Sequence, residues 1–128
     1  MERYLLDTHA AIWFFNADGR LSETVSRIMR DLSNPIFLSV VSAWELSIKI
    51  GLGKLGFAGK TSGFIRLAET NNITILPIKT THLTALETLP MLHRDPFDRL
   101  LIATALAEEM IIVTADKNIA QYEVSQIW

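Results

Sequence analysis

The chain has 128 residues, with 12 basic and 14 acidic side chains for a formal charge of −2, a hydrophobic fraction of 49%, a mean hydropathy of +0.25 and no cysteine. That length matches one domain over residues 1–128, and the absence of Cys excludes a disulfide scaffold and any thiolate metal site. The charge balance argues against holding nucleic acid by bulk positive charge, while the lack of a long apolar run or signal-peptide pattern predicts a cytoplasmic protein with no membrane partner.

Residues 3–6 (RYLL) read as a short strand ending at Asp7. "THAAIWFFNA" follows with helical character and stops at Asp18-Gly19. Ala10 to Phe15 is apolar round more than one turn, so cover is expected from elsewhere in the fold or from another chain. "SETVSRIMRDLSN" reads as a second helix capped by Ser22, and "IFLSV" as a buried strand. "SAWELSIKIGLGKL" reads as a helix with Trp44, Ile48 and Leu52 along one face. "TSGFIRLAETNN" is the next helix, opened by Thr61 or Ser62, followed by the strand "ITILPI" and the short helix "THLTALETL". "PFDRLLIATALAEEM" gives the longest helix, "IIVTA" a strand, and "YEVSQIW" an edge strand. Apolar strands alternating with helices predict an α/β domain with a mainly parallel sheet. In such sheets, function collects beyond the C-terminal ends of the strands.

Gly51-x-Gly53-x-x-Gly56 formally matches a dinucleotide fingerprint, but a helix precedes it where a strand is required, so it reads as a helix end and turn. The three His residues (His9, His82, His93) are scattered and read as structural or incidental. The acids stand out. Asp7 ends the first strand, Glu45 falls in the first turn of the helix after "IFLSV", Asp98 opens the long helix, and Asp116 follows "IIVT" by two residues. Each also has a plain structural role. Asp7 can cap the helix from Thr8, and Ser42-Ala43-Trp44-Glu45 matches a capping box. Asp95, with Pro96 behind it, has the pattern of an N-cap. Glu45 with Lys49 and Asp95 with Arg99 are i,i+4 pairs, and Asp116 fits a turn.

Taken together, the acids argue for more. Strand C-termini share one edge in a parallel sheet, so Asp7, Glu45 and Asp116 should converge, and Asp98 joins them if its helix starts at that edge. Each close pair of carboxylates repels by about 4 kcal/mol at an effective dielectric near 20, a cost that calls for a cation. Oxygen donors without thiols point to Mg²⁺ or Mn²⁺. Bound to such a cluster, the ion engages phosphate oxygens and activates water. Thr8, Ser42 and Thr114 are hydroxyls next to the acids, suited to orienting them or to capping. Lys49, Arg94 and Arg99 can neutralise substrate phosphates or simply pair with neighbouring acids.

"LLDTHAAIWFF", "SVVSAWELSIKIGLGKL", "HRDPFDRLLIATA" and "IIVTADKNIAQY" resemble the PIN-domain ribonucleases, in particular the VapC-like toxins of type II toxin–antitoxin systems. The likeness runs in order from Tyr4 to Trp128, and D-P-F-D-R-L-L is its most specific part. It implies a three-layer α/β/α fold and a metal-dependent endoribonuclease whose acids are Asp7, Glu45, Asp98 and Asp116, with Asp95 as a cap or supporting residue. It also implies a homodimer and neutralisation by a VapB-like antitoxin. Ile119 stands where an aromatic is expected and Thr104 where Gln is usual, departures that touch no acid. A haloacid-dehalogenase-like phosphotransferase needs a second acid where this chain has His9, and a receiver domain needs an acidic pair that is missing. The remaining alternative is a degenerate PIN domain that binds RNA or protein without catalysis.

Overall fold

A computed structural model describes all 128 residues. Five strands form one fully parallel sheet: β1 (Tyr4–Leu6), β2 (Ile36–Ser39), β3 (Ile73–Leu76), β4 (Ile111–Val113) and β5 (Gln126–Ile127), in the order β3-β2-β1-β4-β5. The helices are α1 (Thr8–Phe15), α2 (Glu23–Arg30), α3 (Val40–Gly51), α4 (Lys60–Thr70), α5 (Thr80–Glu87) and α6 (Pro96–Glu108). A 3₁₀ turn at Ile119–Gln121 precedes β5. No helix is long and apolar enough to cross a membrane.

Successive strand residues point to opposite faces, and the two cores follow that alternation. Tyr4, Leu6, Leu38 and Val113 face a cluster closed by α1, α2, α3 and α4, with Phe64 and Leu46 fully buried in it. Leu5 and Ile112 face the other cluster, filled mainly by Leu101, Ile102 and Ala105 of α6 with Ile119 and Tyr122. The chain moves outward from β1 to β2 and β3, then returns across the sheet to β4 on the far side of β1. Crossovers of one hand force the helices onto opposite faces when the direction reverses, giving the three-layer α/β/α arrangement. The reversal leaves a crevice between the C-terminal ends of β1 and β4.

Several boundaries differ from the sequence expectation for local reasons. α3 begins at Val40, because Ser39 is the cap and its hydroxyl accepts from the Val41 amide at 3.1 Å. Ser42 and Glu45 therefore form no capping box, and Glu45 sits in the second turn. The β-branched Val40-Val41 pair looks like strand in sequence but starts the helix. α4 has no side-chain cap; Gly59 opens it at φ +79°. The glycine-rich stretch is a helix end and turn, with Gly53 at φ +71°. The cover for α1 comes largely from within the chain: Phe15 meets Phe57 and Phe64 edge-on, and Trp13 meets Trp128.

One glycine is required by close approach. A Cβ at Gly63 would lie 2.6 Å from the Ala58 carbonyl oxygen, whereas one at Gly56 would meet nothing within 4 Å. Gly63→Ala is therefore expected to cost about 1–3 kcal/mol through overpacking, and Gly56→Ala less than about 0.5 kcal/mol. Urea denaturation of the two variants checks this, and equal midpoints would contradict it.

Candidate active site

Asp7 follows β1 directly and caps α1, its Oδ1 accepting from the Ala10 amide at 2.7 Å. Its Oδ2 accepts a short hydrogen bond from the Thr114 hydroxyl, which lies one residue beyond β4. Thr114 Oγ1 in turn accepts from the Asp116 amide at 3.0 Å, so one hydroxyl ties both strand ends together. Asp116 Oδ1 accepts from the Asn118 amide at 2.8 Å, closing a turn. On the β2 side, Glu45 is buried on α3, its Oε1 held by Thr8 at 2.8 Å and its Oε2 by Lys49 at 2.7 Å. The Thr8 and Ser42 hydroxyl oxygens lie 2.9 Å apart, within hydrogen-bond distance. Asp95 caps α6 by accepting from the Phe97 and Asp98 amides at 2.9 and 3.1 Å, with Pro96 as the first helical residue. Asp98 in the first turn pairs through Oδ2 with His93 at 2.9 Å.

Most of these groups line a pocket of about 180 Å³ that has no hydrophobic residue in its wall, with Thr114 and Ser42 set behind it. Asp7, Glu45, Asp98 and Asp116 all border it, together with Asp95, Thr8 and Lys49. His9, His93 and Asn118 border it too. His93 has no sequence pattern that marks it as more than structural or incidental, yet it lies with Asp95 and Asp98 in a group whose donor atoms fall within 4.8 Å of one another. Its contact is made from an irregular segment, where no helical or strand period points to it. Asn118 follows Asp116 in D-K-N, a spacing that signals an Asx-type turn. His82 is structural: buried, it bridges the Lys79 amide and Glu108 of α6.

Arg99 does not reach the pocket. It is buried and donates to the Pro90 and Leu89 carbonyls at 2.9 and 3.3 Å and to the Tyr122 hydroxyl at 3.1 Å. No pair with Asp95 forms. Because the Tyr122 hydroxyl also accepts from the His93 amide at 3.0 Å, Arg99 fixes the segment that presents His93. Arg94 is exposed and does not line the pocket. Thr104 is buried and donates to the Leu100 carbonyl within α6, so that departure is a matter of packing.

Burial is the largest influence on two of the acids. It raises Asp7, against the lowering effects of Thr114 and the Ala10 amide, with Asp116 pushing the same way as burial. Asp98 is raised to about 6 by burial, opposed by His93 and reinforced by Asp95, Asp116 and Glu45. The carboxylates therefore sense one another across the pocket. Lys49 is raised by its bond to Glu45 and, more weakly, by Asp95 and Asp98. A single ammonium cannot balance five carboxylates. The donor chemistry, carboxylate oxygens with one imidazole and no thiol, suits a hard divalent cation, and His93, Asp95 and Asp98 are the side chains whose donor atoms already lie within 4.8 Å of one another.

The PIN-domain family model matches residues 4–124. The chain belongs to the PIN-domain family. Among solved structures, this PIN domain is similar to a chain of VapBC2 from Rickettsia felis bound to a DNA fragment from their promoter, at 16% identity over 97% of this chain and 96% of that one, with a TM-score of 0.72. It is also similar to a chain of FitAcB from Neisseria gonorrhoeae (17% identity, 98% and 96% coverage, TM-score 0.68) and of a toxin–antitoxin complex from Klebsiella pneumoniae (16%, 98% and 96%, 0.64). No curated protein sequence matches significantly. At these identities the likeness concerns the fold, and it accounts for the parallel sheet and its three layers.

The raised Asp98 carboxyl makes a signed prediction for metal-free protein. A raised folded-state value contributes stability that is fully present below the ordinary value of 3.8 and is lost as pH rises through about 6. Asp98→Asn removes that loss, so in EDTA it is expected to exceed the wild type by about 1–2 kcal/mol at pH 7.5. At pH 4 the advantage disappears. Denaturation at both pH values measures it, and an equal difference at each would contradict the assignment.

Proposed function

We propose that this PIN domain is a metal-dependent endoribonuclease and the toxin of a type II toxin–antitoxin pair, working in the cytoplasm. The observation that carries the reading is the convergence of Asp7, Glu45, Asp98 and Asp116 on one pocket, lined by no hydrophobic residue, at the C-terminal edge of the sheet. Such an array destabilises the protein unless a cation is bound, and a phosphodiester substrate brings further negative charge to the same place. Mg²⁺ or Mn²⁺ held there supplies charge neutralisation at phosphate oxygens and acidifies water for in-line attack.

The chain's own residues have distinct roles in this proposal. Asp7, Asp98 and Asp116 hold the ion, and Glu45 completes the set from the β2 side. Thr114 orients Asp7, while Thr8 orients Glu45 with Ser42 behind it. Asp95 sets the start of α6 and so the reach of Asp98. Lys49 restrains Glu45 and offers a positive charge to a substrate phosphate. Arg99, inside the fold, acts only through the segment that bears His93.

The toxin reading is supported by family membership and by similarity to a chain of a toxin–antitoxin complex. Exposed apolar side chains on α3 and at its C-terminal cap, with Trp44 at 55% and Leu52 at 64%, suit cover by a homodimer partner or an antitoxin. The competing view, a degenerate PIN domain that only binds, is disfavoured because all four acids are present and converge.

Single-stranded RNA, purified protein and Mn²⁺ test the reading. Cleavage is expected to stop in EDTA and to fall by about 10²–10⁴-fold in Asp98→Asn and Asp116→Asn, with folding kept. Cleavage that survives chelation and both substitutions would favour a non-catalytic module and a contaminating nuclease. Thr8→Val is milder: losing its bond to Glu45 should weaken Mn²⁺ affinity about 10–100-fold, read by calorimetry. Unchanged affinity would mean that Glu45 needs no such support.

A further inference from the structure

We infer that the cavity beside Trp13 is a nucleobase subsite, receiving the base of the nucleotide that flanks the scissile phosphate. The inference rests on the nuclease reading and deepens it. A second cavity, of about 240 Å³, opens next to the polar pocket and shares Asp7, His9 and Asp116 with it. The two differ in chemistry. The first has no hydrophobic wall, whereas Trp13 and Ala115 line the second.

A nucleotide has the same division, an anionic phosphate joined to a flat, largely apolar ring, so two adjoining cavities that share Asp7, His9 and Asp116 match its two halves. The volume suits a planar ring and lies below the ~300 Å³ at which pockets for larger ligands begin. An aromatic wall beside a phosphate site is the usual means of holding single-stranded nucleic acid without base pairing.

The Trp13 ring is held in place before any ligand arrives. The Arg20 guanidinium lies over it, 4.8 Å from the centroid, and is itself fixed by Asp18 through bonds of 3.1 and 2.8 Å. Trp128 meets the ring edge-on at 5.6 Å, and the exposed His9 ring lies 5.9 Å away on the cavity side of α1. A ring so restrained loses little freedom on stacking. Trp13 and Trp128 also cover α1, but neither they nor Arg20 line the carboxylate pocket. Trp44 is more exposed but packs on Phe97 and lines neither cavity. Trp13 is thus a substrate-positioning residue.

The test compares wild type, Trp13→Leu and Trp13→Phe, each confirmed folded by its thermal transition. The substrates are a single-stranded oligoribonucleotide and copies carrying one abasic position at each site near the cut, cleaved in Mn²⁺. Base–aromatic stacking corresponds to about 5- to 150-fold in affinity, so Trp13→Leu should raise KM by that factor with little change in kcat. Trp13→Phe should restore most of it. An abasic position flanking the cut should cost the wild type a similar factor and cost Trp13→Leu nothing further, since both changes remove one contact. Trp13→Leu cleaving with wild-type KM, or abasic losses that simply add, would overturn the subsite while leaving the nuclease intact. A wild type that neither binds nor cleaves the oligonucleotide would overturn the nuclease reading and the subsite with it. Loss of affinity for a helical antitoxin-type peptide in Trp13→Leu, with RNA kinetics unchanged, would assign the cavity to a protein side chain instead.

Discussion

Mutual repulsion among buried and half-buried carboxylates is the constraint around which this molecule is built. Asp7 and Glu45 are almost wholly buried, yet both face a pocket that Asp98 and Asp116 also enter. Like charges at such separations work against the compact state. They remain together because each is held by a group that cannot easily let go: the Ala10 amide and Thr114 for Asp7, Thr8 and Lys49 for Glu45, His93 for Asp98, and the Asn118 amide for Asp116.

The fold serves this constraint economically. Strands of only two to four residues suffice, because their task is to deliver chain ends to a common edge. The strand order reverses beside β1, which brings Asp7 and the segment after β4 side by side. Helix starts supply the rest. The amides at the head of α1 draw on Asp7, and those at the head of α6 on Asp95, so capping and site assembly are one act. Capping fixes the backbone, and the backbone then aims Asp98 at its neighbours.

Much of this was legible in the sequence because the relevant signals are local. Asp-Pro before an apolar run announces the start of α6, and an acid directly after a buried strand announces the sheet edge. The departures arise where two local signals compete or where the deciding contact is distant. "SVVSAWE" offers two serines as caps; the capping-box pattern favours Ser42, while the helix takes Ser39 and turns Glu45 inward on its second turn. Arg99 has the spacing of a surface pair with Asp95, but carbonyls at 89 and 90 and the Tyr122 hydroxyl draw it into the interior. His93 enters the pocket from an irregular segment whose path depends on that same buried network. The Trp13 cavity depends on residues at both ends of the chain, since Trp128 braces the ring.

Anomalous diffraction from crystals grown with Mn²⁺ tests the central claim, that the carboxylates gather in order to hold a divalent cation, most directly. The account predicts a strong anomalous peak within coordination distance of Asp7, Asp98 and Asp116, at about 2.0–2.3 Å from their oxygens. A peak absent from the pocket, or one bound away from Asp7 and Asp116, would contradict it and leave the acids as caps and turn residues.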